Sequence, residues 1–318
     1  MRVAVTGATG FIGNAIVREA QARGHDVVAL HRSDLPQDPE VASWQHFDSW
    51  LVGSDPVDVV VHAAALRHRH GIPGADYAAV NVGLTQRVLD RAVRGRAERF
   101  VQISSISVYG WPPSDRLPID ESFPFDPTGP YGESKVRTEQ LVMGAQIPWT
   151  IVQPSITYGP RDTNGMIDKM MRMIARHFFV LPGLGRTRVQ LVYIDDLARI
   201  TVLAAEARNA NGARFICTYA EPVRVCDLVR RIARCVHGHV LPFGLPTSLM
   251  HLMATGFEKL DRFGVFAGRE PPLTREKLAT ISVDRAYRID TLRRLLGTEP
   301  QVGYAEGLAR TARAMNLA

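Results

Sequence analysis

The strongest constraint on the fold lies near the start of the chain, where an apolar run, a glycine turn and a helical pattern follow one another. The β-branched run at residues 2–6 precedes Gly7, Gly10 and Gly13, and the helical pattern continues to Arg23. A tight turn that approaches a pyrophosphate needs residues without Cβ, and the helix N-terminus offers N–H donors to phosphates. The pattern therefore predicts a dinucleotide-binding unit, with a ligand-free glycine turn as the alternative.

Apolar runs alternate with helical patterns through the first half of the chain. The runs lie at 27–30, near 42–47, and at 57–62, 100–103 and 149–152, and helical patterns cover 76–94 and 131–145. Fully apolar strands of this kind indicate a parallel sheet with helices on both faces. We therefore predict an α/β fold built on a doubly wound parallel sheet of the Rossmann type.

This rhythm changes after about residue 155. Helical patterns then lie near 164–177, 224–236, 246–262, 290–296 and 304–316, and short strands are expected near 189–194 and 213–217. The change predicts a dinucleotide-binding domain over residues 1–155. A smaller, mostly helical substrate domain is predicted over 156–318, with some chain returning to the first domain.

Composition narrows the classes of function. The 318 residues are 46% hydrophobic and 22% charged, which is ordinary for a globular protein. No membrane span is expected because no run reaches about 18 apolar residues, and without a cleavable apolar leader we expect a cytoplasmic protein. The net charge of +6 is spread along the chain, which favours a small anionic molecule over nucleic acid as partner. The three cysteines show no paired spacing, so no metal site is expected.

A tyrosine and a lysine stand four residues apart at the start of a predicted helix. Tyr131 and Lys135 therefore share one helical face. An ammonium nearby favours the phenolate, so we expect Lys135 to lower the pKa of Tyr131 from about 10 and to make it a general acid/base. Lys135 would also hold the nicotinamide ribose. A serine from the segment 104–110, at the end of the strand 100–103, would donate a hydrogen bond to the substrate oxygen.

The residues at the end of the second predicted strand indicate whether the cofactor is NAD(H) or NADP(H). The segment ends in His31, Arg32 and Ser33, where an NAD site usually has an acid. A carboxylate would repel a 2′-phosphate, whereas Arg32 and the Ser33 hydroxyl would bind it. The segment favours NADP(H), with NAD(H) as the alternative if Asp34 contacts the ribose instead.

With these motifs in view, the sequence resembles the extended short-chain dehydrogenase/reductases, the NAD(P)-dependent epimerase/dehydratase family. The resemblance runs through residues 6–13, 58–65, 81–83, 104–110 and 153–161 and the Tyr131–Lys135 pair. It implies that Ser105, Tyr131 and Lys135 are the catalytic residues, with Ser105 and Tyr131 touching substrate. The cofactor contacts expected from motif and resemblance together are Gly7, Thr9, Gly10, Phe11, Ile12, Gly13, Arg32, Ser33, Ala63, Ala64, Asn81, Lys135 and Pro154.

The resemblance also implies a substrate class. A 4-keto nucleotide sugar reduced or epimerised at C4 is expected, with Arg161, Arg186 and Arg188 as candidates for its diphosphate. Ile106 and Ser107 stand where family dehydratases have an acidic pair, which argues against dehydration. Family enzymes often dimerise, so a homodimer through the helices 76–94 and 131–145 is expected.

Two other functions stay open. A carbonyl reductase or hydroxysteroid-type dehydrogenase would bind an apolar substrate, and residues 249–254 with Phe257, Phe263 and Phe266 could line its pocket. For that stretch we favour an ordinary helix–helix core. The other alternative is a cofactor-sensing protein without catalysis, because a fold alone does not establish an activity.

Overall fold

The computed structural model describes residues 1–32, 38–67, 71–163, 165–177, 179–181, 183–240, 244–266 and 271–318. The strands β1–β11 are Arg2–Thr6, Asp26–His31, Trp44–His46, Val59–His62, Arg99–Ile103, Trp149–Pro154, Ile156–Tyr158, Arg188–Val189, Leu191–Tyr193, Ala213–Cys217 and Val223–Arg224. The helices α1–α12 are Phe11–Ala22, Phe47–Val52, Gly74–Tyr77, Gly83–Arg94, Gly129–Met143, Met166–Ala175, Ile194–Glu206, Val225–Cys235, Thr247–Arg262, Arg275–Ser282, Asp290–Leu296 and Tyr304–Ala314.

A seven-stranded sheet organises the molecule, in the order β10-β6-β5-β4-β1-β2-β3. All its neighbouring strands pair in parallel. The strand order reverses between β1 and β4, and in open sheets of this kind the crevice beyond the carboxyl ends at such a point binds ligands. The predicted Rossmann-type fold class is confirmed.

Helices cover both faces of the sheet because successive strand residues point to opposite sides. Val3 and Val5 of β1 pack in a cluster with α1 and α7, and Ala4 packs on the other side with α2, α4 and α5. All three residues are at most 2% exposed. From Val3 to Thr6 the β1 strand is thus buried, as its apolar run predicts.

A second core lies beyond the sheet. Helices α6, α8 and α12 pack around β7 and β9, which form a parallel pair, and β8 pairs antiparallel with β11. The chain then returns, because β10 adds a parallel strand beside β6. The division at residue 155 stays a prediction, but a returning strand is present.

Several elements differ from the sequence prediction. The predicted helix 76–94 is broken by a π-helical segment at Ala78–Val82, where the Asn81 amide turns inward to bond a neighbouring loop. Helices α2 and α10 were not expected, since short helices with tertiary support carry weak periodic signals. The strand predicted near 189–194 is split into β8 and β9, which pair with different partners.

No helix among the described residues is long and apolar enough to cross a membrane. Within the same part of the chain, no group of three or more histidine, cysteine, aspartate or glutamate side chains could hold a metal ion. Cys217 is buried, and Cys226 and Cys235 are half-buried free thiols.

His62 ends β4 in the centre of the sheet. Its Nδ1 lies 2.6 Å from Thr6 Oγ1, and its Nε2 lies 3.1 Å from Thr85 Oγ1. Burial, followed by the charge of Lys135, lowers the pKa of His62 to about 3. Between about pH 3 and pH 6.5, the imidazole is therefore neutral in the folded protein and charged in the unfolded chain.

This histidine should make the protein sensitive to acid. Below pH 6.5 His62 binds a proton in the unfolded chain but not in the folded protein, so the free energy of unfolding decreases as the pH falls. From pH 7 to pH 5 we expect His62 to account for a loss of about 2 kcal/mol in the free energy of unfolding. In His62→Gln that part of the pH dependence should vanish, as measured by urea unfolding at both pH values. His251→Gln, at an exposed position, is the control; an equal pH dependence in wild type and His62→Gln would contradict the assignment.

Candidate active site

A cavity of about 1190 Å³ opens along the carboxyl ends of β1, β4, β5 and β6. One half runs over the glycine turn towards the end of β2, and the other half extends between α6, α9 and α10. The sequence-predicted residues that line it are Gly7, Thr9, Gly10, Phe11, Ile12, Gly13, Arg32, Ala63, Ala64, Ser105, Tyr131, Lys135 and Pro154. Residues separated widely in the sequence thus meet in one cavity, as the strand order requires.

The glycine turn is held by close backbone contacts. Gly7 has φ +70°, and a Cβ there would lie 2.8 Å from the backbone nitrogen of Ala64. A Cβ on Gly13 would lie 2.1 Å from the carbonyl oxygen of Gly7. A side chain at Gly7 would push the turn away from the loop after β4. A side chain at Gly13 would push α1 away from the turn. The glycines are therefore needed for the path of the chain as well as for access to a ligand.

The start of α1 is suited to a phosphate group. Its N-cap, Gly10, has no side-chain cap, and the first turn contains no acidic residue. Residues Thr9 to Gly13 line the cavity, so the N-terminus of α1, with its N–H groups and the positive end of the helix dipole, borders it. This cradle of bare backbone fits the pyrophosphate of a nicotinamide dinucleotide.

Of the residues expected to contact the adenosine ribose, only Arg32 lies within the described ranges. Arg32 is exposed and lines the cavity, as the preference for NADP(H) requires. Ser33 and the alternative Asp34 lie outside the described residues. His31 packs edge-on against Trp44 and His46, with ring centroids 6.0 and 5.5 Å apart, which fixes the end of β2.

Asn81 lies behind the residues that line the cavity, and its contact with a cofactor stays a prediction. Its Oδ1 accepts a hydrogen bond from the Leu66 N–H at 2.7 Å, and its Nδ2 donates to Ser134 Oγ at 2.9 Å. Because Asn81 is buried, these bonds tie the loop after β4 to α5. The amide positions the wall that carries Ala63 and Ala64.

Ser105, Tyr131 and Lys135 meet at the centre of the cavity. Ser105 caps a short 3-10 helix after β5, where its Oγ accepts a bond from the Ser107 N–H at 3.1 Å. Lys135 is buried, its Nζ lies 5.9 Å from the Tyr131 ring centroid, and it donates to the Ile103 carbonyl at 3.1 Å. The predicted sharing of one helical face is observed.

The pKa of Tyr131 departs from the sequence expectation. Burial raises it to about 12, although hydrogen bonding with Ser105 and the charge of Arg67 both lower it. The expected lowering by Lys135 is wrong: Lys135 is not among the groups that shift the pKa of Tyr131, and burial outweighs the two that lower it. Burial also lowers the pKa of Lys135 to about 8. At neutral pH Tyr131 is therefore a phenol that can donate a proton, beside a charged ammonium.

A buried acid supports the lysine, and the sequence analysis missed it. Glu139 follows Lys135 by one helical turn, is 0% exposed, and raises the pKa of Lys135 against the effect of burial. Its carboxyl accepts hydrogen bonds from Ser104 Oγ and from Gln153 Nε2, the latter at 2.9 and 3.1 Å. The four-residue spacing from Lys135 was the signal in the sequence that could have revealed it.

The three arginines expected to bind a diphosphate do not line the cavity. Arg161 pairs with Asp38, Arg188 pairs with Asp284 at 3.4 Å, and Arg186 is exposed. The role of all three as substrate contacts stays a prediction. The basic residues in the cavity are Arg32, Arg67, Lys135 and Lys169.

Apolar side chains line the half of the cavity farthest from the glycine turn. Helix α9 faces it with Met250, Met253 and Phe257, at spacings of three and four residues that share a helical face. The ordinary helix–helix core favoured for this stretch is therefore incomplete, since these side chains border open space. The other apolar residues of this wall are Met166, Met170, Met173, Phe179, Val180, Leu245, Pro272, Leu273 and Ile281.

A family model described as "NAD dependent epimerase/dehydratase family" matches residues 3–217. The chain belongs to this family. The family predicted from the motifs is thereby confirmed, and the chain is an enzyme of the NAD dependent epimerase/dehydratase family.

Relatives of this family member carry both reductase and epimerase names. A 2-alkyl-3-oxoalkanoate reductase from Stenotrophomonas maltophilia (strain K279a) is 28% identical, with 98% of each chain covered. A UDP-glucose 4-epimerase from Vibrio cholerae is 24% identical, with 98% of this chain and 94% of that protein covered. The crystal structure of gox2253 superimposes with a TM-score of 0.81 at 25% identity, covering 99% and 98% of the two chains.

The position of Tyr131 at the centre of the cavity predicts how the loss of its hydroxyl affects turnover. Tyr131→Phe should lower kcat by about a hundredfold or more, because it removes the proton donor and leaves the ring in place. Cofactor binding, measured by fluorescence titration, should change little. Tyr77→Phe is the matched control, since Tyr77 packs edge-on against Tyr131 at 5.9 Å without lining the cavity. Unchanged turnover in Tyr131→Phe would remove Tyr131 from the mechanism.

Proposed function

We propose that this family member is an NAD(P)-dependent oxidoreductase that reduces a ketone on a largely apolar substrate, or oxidises the corresponding secondary alcohol. The observation that carries the proposal is the methionine- and phenylalanine-rich wall beside Tyr131. Such a wall favours an apolar substrate body because burying each methylene contributes about 0.8 kcal/mol. The similarity to a reductase of alkyl-substituted oxoalkanoates supports the same choice.

A nucleotide sugar is the alternative substrate class, and it stays a prediction. The similarity to a UDP-glucose 4-epimerase supports it. However, a diphosphate needs several cationic donors, and Arg161, Arg186 and Arg188 do not line the cavity. The homodimer and the cytoplasmic location also stay predictions.

In the half of the cavity proposed to bind the cofactor, a few residues would make the main contacts. The backbone from Thr9 to Gly13 would hold the pyrophosphate, and Arg32 would contact the adenosine ribose or its 2′-phosphate. Lys135 would hold the nicotinamide ribose. When bound, the nicotinamide supplies or accepts the hydride at the reacting carbon.

In the direction of reduction, the protein's own residues supply the proton. Ser105 donates a hydrogen bond to the ketone oxygen, which polarises the carbonyl. The carbonyl carbon takes the hydride, and the Tyr131 hydroxyl gives its proton to the oxygen, so the ketone becomes an alcohol and Tyr131 becomes a phenolate. The charged ammonium of Lys135 stabilises that phenolate until solvent returns a proton. The raised pKa of Tyr131 keeps the donor protonated at neutral pH, as reduction requires.

The apolar wall predicts a dependence on the length of the substrate chain. In a series of 3-oxo compounds of increasing alkyl length, kcat/KM should rise about two- to fourfold per methylene until the cavity is filled. At saturating cofactor, the KM for the ketone should be insensitive to salt, because the substrate itself carries no diphosphate. The measurement is the loss of reduced-cofactor absorbance with each ketone and with UDP- and GDP-sugars. Turnover of a nucleotide sugar in preference to every apolar ketone would overturn the proposal.

The position of Arg32 predicts which cofactor is preferred. Arg32→Ala should weaken NADPH binding about tenfold or more and leave NADH binding nearly unchanged, because a charge-assisted hydrogen bond to the 2′-phosphate is lost. Fluorescence titration of both cofactors tests this. Arg230→Ala, an exposed arginine on α8, is the control. Equal affinities for NADPH and NADH in the wild type would refute the preference.

A further inference from the structure

Exposed apolar side chains concentrate around one opening of the protein. Of the eleven large hydrophobic residues that are exposed in the described ranges, eight lie on α9, just after it, or on adjoining segments. We name these eight the apolar rim: Met173, Leu184, Leu249, Leu252, Met253, Leu260, Phe263 and Val265. Phe263 and Leu252 are 85% and 69% exposed, so large apolar surfaces face solvent there. A concentration of this kind marks an interaction site.

Helix α9 is apolar on two sides. Met250, Ala254 and Phe257 face the protein and the cavity, with Met250 6% and Ala254 0% exposed. On the opposite, solvent-facing side lies Leu252, and Phe263 is exposed just after the helix ends. A helix that only sealed the cavity would need one apolar face. The second face is unexplained by any contact within the described chain.

The rim is continuous with the interior of the cavity. Met173 and Met253 both line the cavity and are 41% and 40% exposed. Leu184 adjoins the same edge, because the neighbouring Gly183 N–H bonds the carbonyl of Leu245, a lining residue, at 2.8 Å. The apolar surface therefore runs from outside the protein, through the mouth, to the wall beside the reacting centre.

The charges beside the rim are mainly basic. Arg176, Arg186 and Lys259 are exposed next to rim segments. Of the acids there, Glu258 is held by Arg275 at 2.8 Å, and Asp261 is half-buried. Apolar side chains with an outer set of cations suit an anionic lipid surface. A second copy seated on the rim would instead cover the mouth of the cavity.

We propose that the apolar rim docks the protein on an anionic phospholipid bilayer, so that apolar substrates enter the cavity directly from the lipid. This inference rests on the proposed function, because only an apolar substrate gathers in a bilayer. The proposed contact is peripheral, because it is made by side chains on the surface of the protein. The aliphatic and aromatic side chains of the rim enter the headgroup boundary, and the basic residues contact lipid phosphates.

Vesicle co-sedimentation tests the docking without substrate or cofactor. Vesicles of phosphatidylglycerol and phosphatidylcholine should bind the wild-type protein, and vesicles of phosphatidylcholine alone should bind it less. The double variant Leu252→Ser/Phe263→Ser should bind more than about tenfold more weakly, because two exposed apolar anchors are lost. Val52→Ser is the matched control, since Val52 is 86% exposed on α2, away from the rim. Activity on a short, water-soluble ketone should be equal in all three proteins, since neither Leu252 nor Phe263 lines the cavity.

The outcomes separate the two proposals. Absence of wild-type binding, or equal binding by the double variant, overturns the docking whatever the substrate is. A wild-type dimer that the double variant converts to a monomer assigns the rim to contact between copies and also overturns the docking. Failure to turn over any apolar ketone, with vesicle binding intact, overturns the proposed function instead.

Discussion

The close packing of bare backbone between the glycine turn and the loop after β4 is the constraint on which the cavity depends. Gly7, at φ +70°, leaves no space for a Cβ against Ala64, and Gly13 leaves none against the Gly7 carbonyl. These contacts bring α1 close to β1 and β4 at the point where the strand order reverses. The crevice for a dinucleotide and its uncapped helix N-terminus therefore arise from one local requirement.

Burial sets the chemistry beside that crevice. The same desolvation that raises the pKa of Tyr131 to about 12 lowers that of Lys135 to about 8. Glu139, itself buried among Ser104 and Gln153, opposes the effect on the lysine. A protonated phenol and an ammonium are thus kept together at neutral pH, which is the state that a ketone reductase needs.

The two halves of the cavity differ in how far their residues follow from local sequence patterns. Ser105, Tyr131 and Lys135 lie at the start of the 3-10 helix after β5 and on α5, beside a sheet whose sequence pattern is regular. The substrate wall is assembled from α6, α9 and α10 and the loops between them, which contact one another only in the folded chain. Arg161 and Arg188 are expected at a diphosphate by sequence position, whereas in the structure they pair with Asp38 and Asp284 and do not line the cavity.

The sequence by itself determined the strand–turn–helix unit, the parallel sheet and the Tyr131–Lys135 pair, because glycine sterics, strand burial and helical spacing act over a few residues. Tertiary structure alone decided the sign of the Tyr131 pKa shift, the role of Asn81 behind the wall, and the break in the predicted helix 76–94. It also decided that α9 faces both the cavity and the solvent. These features depend on desolvation and on contacts between distant segments, which no local pattern encodes.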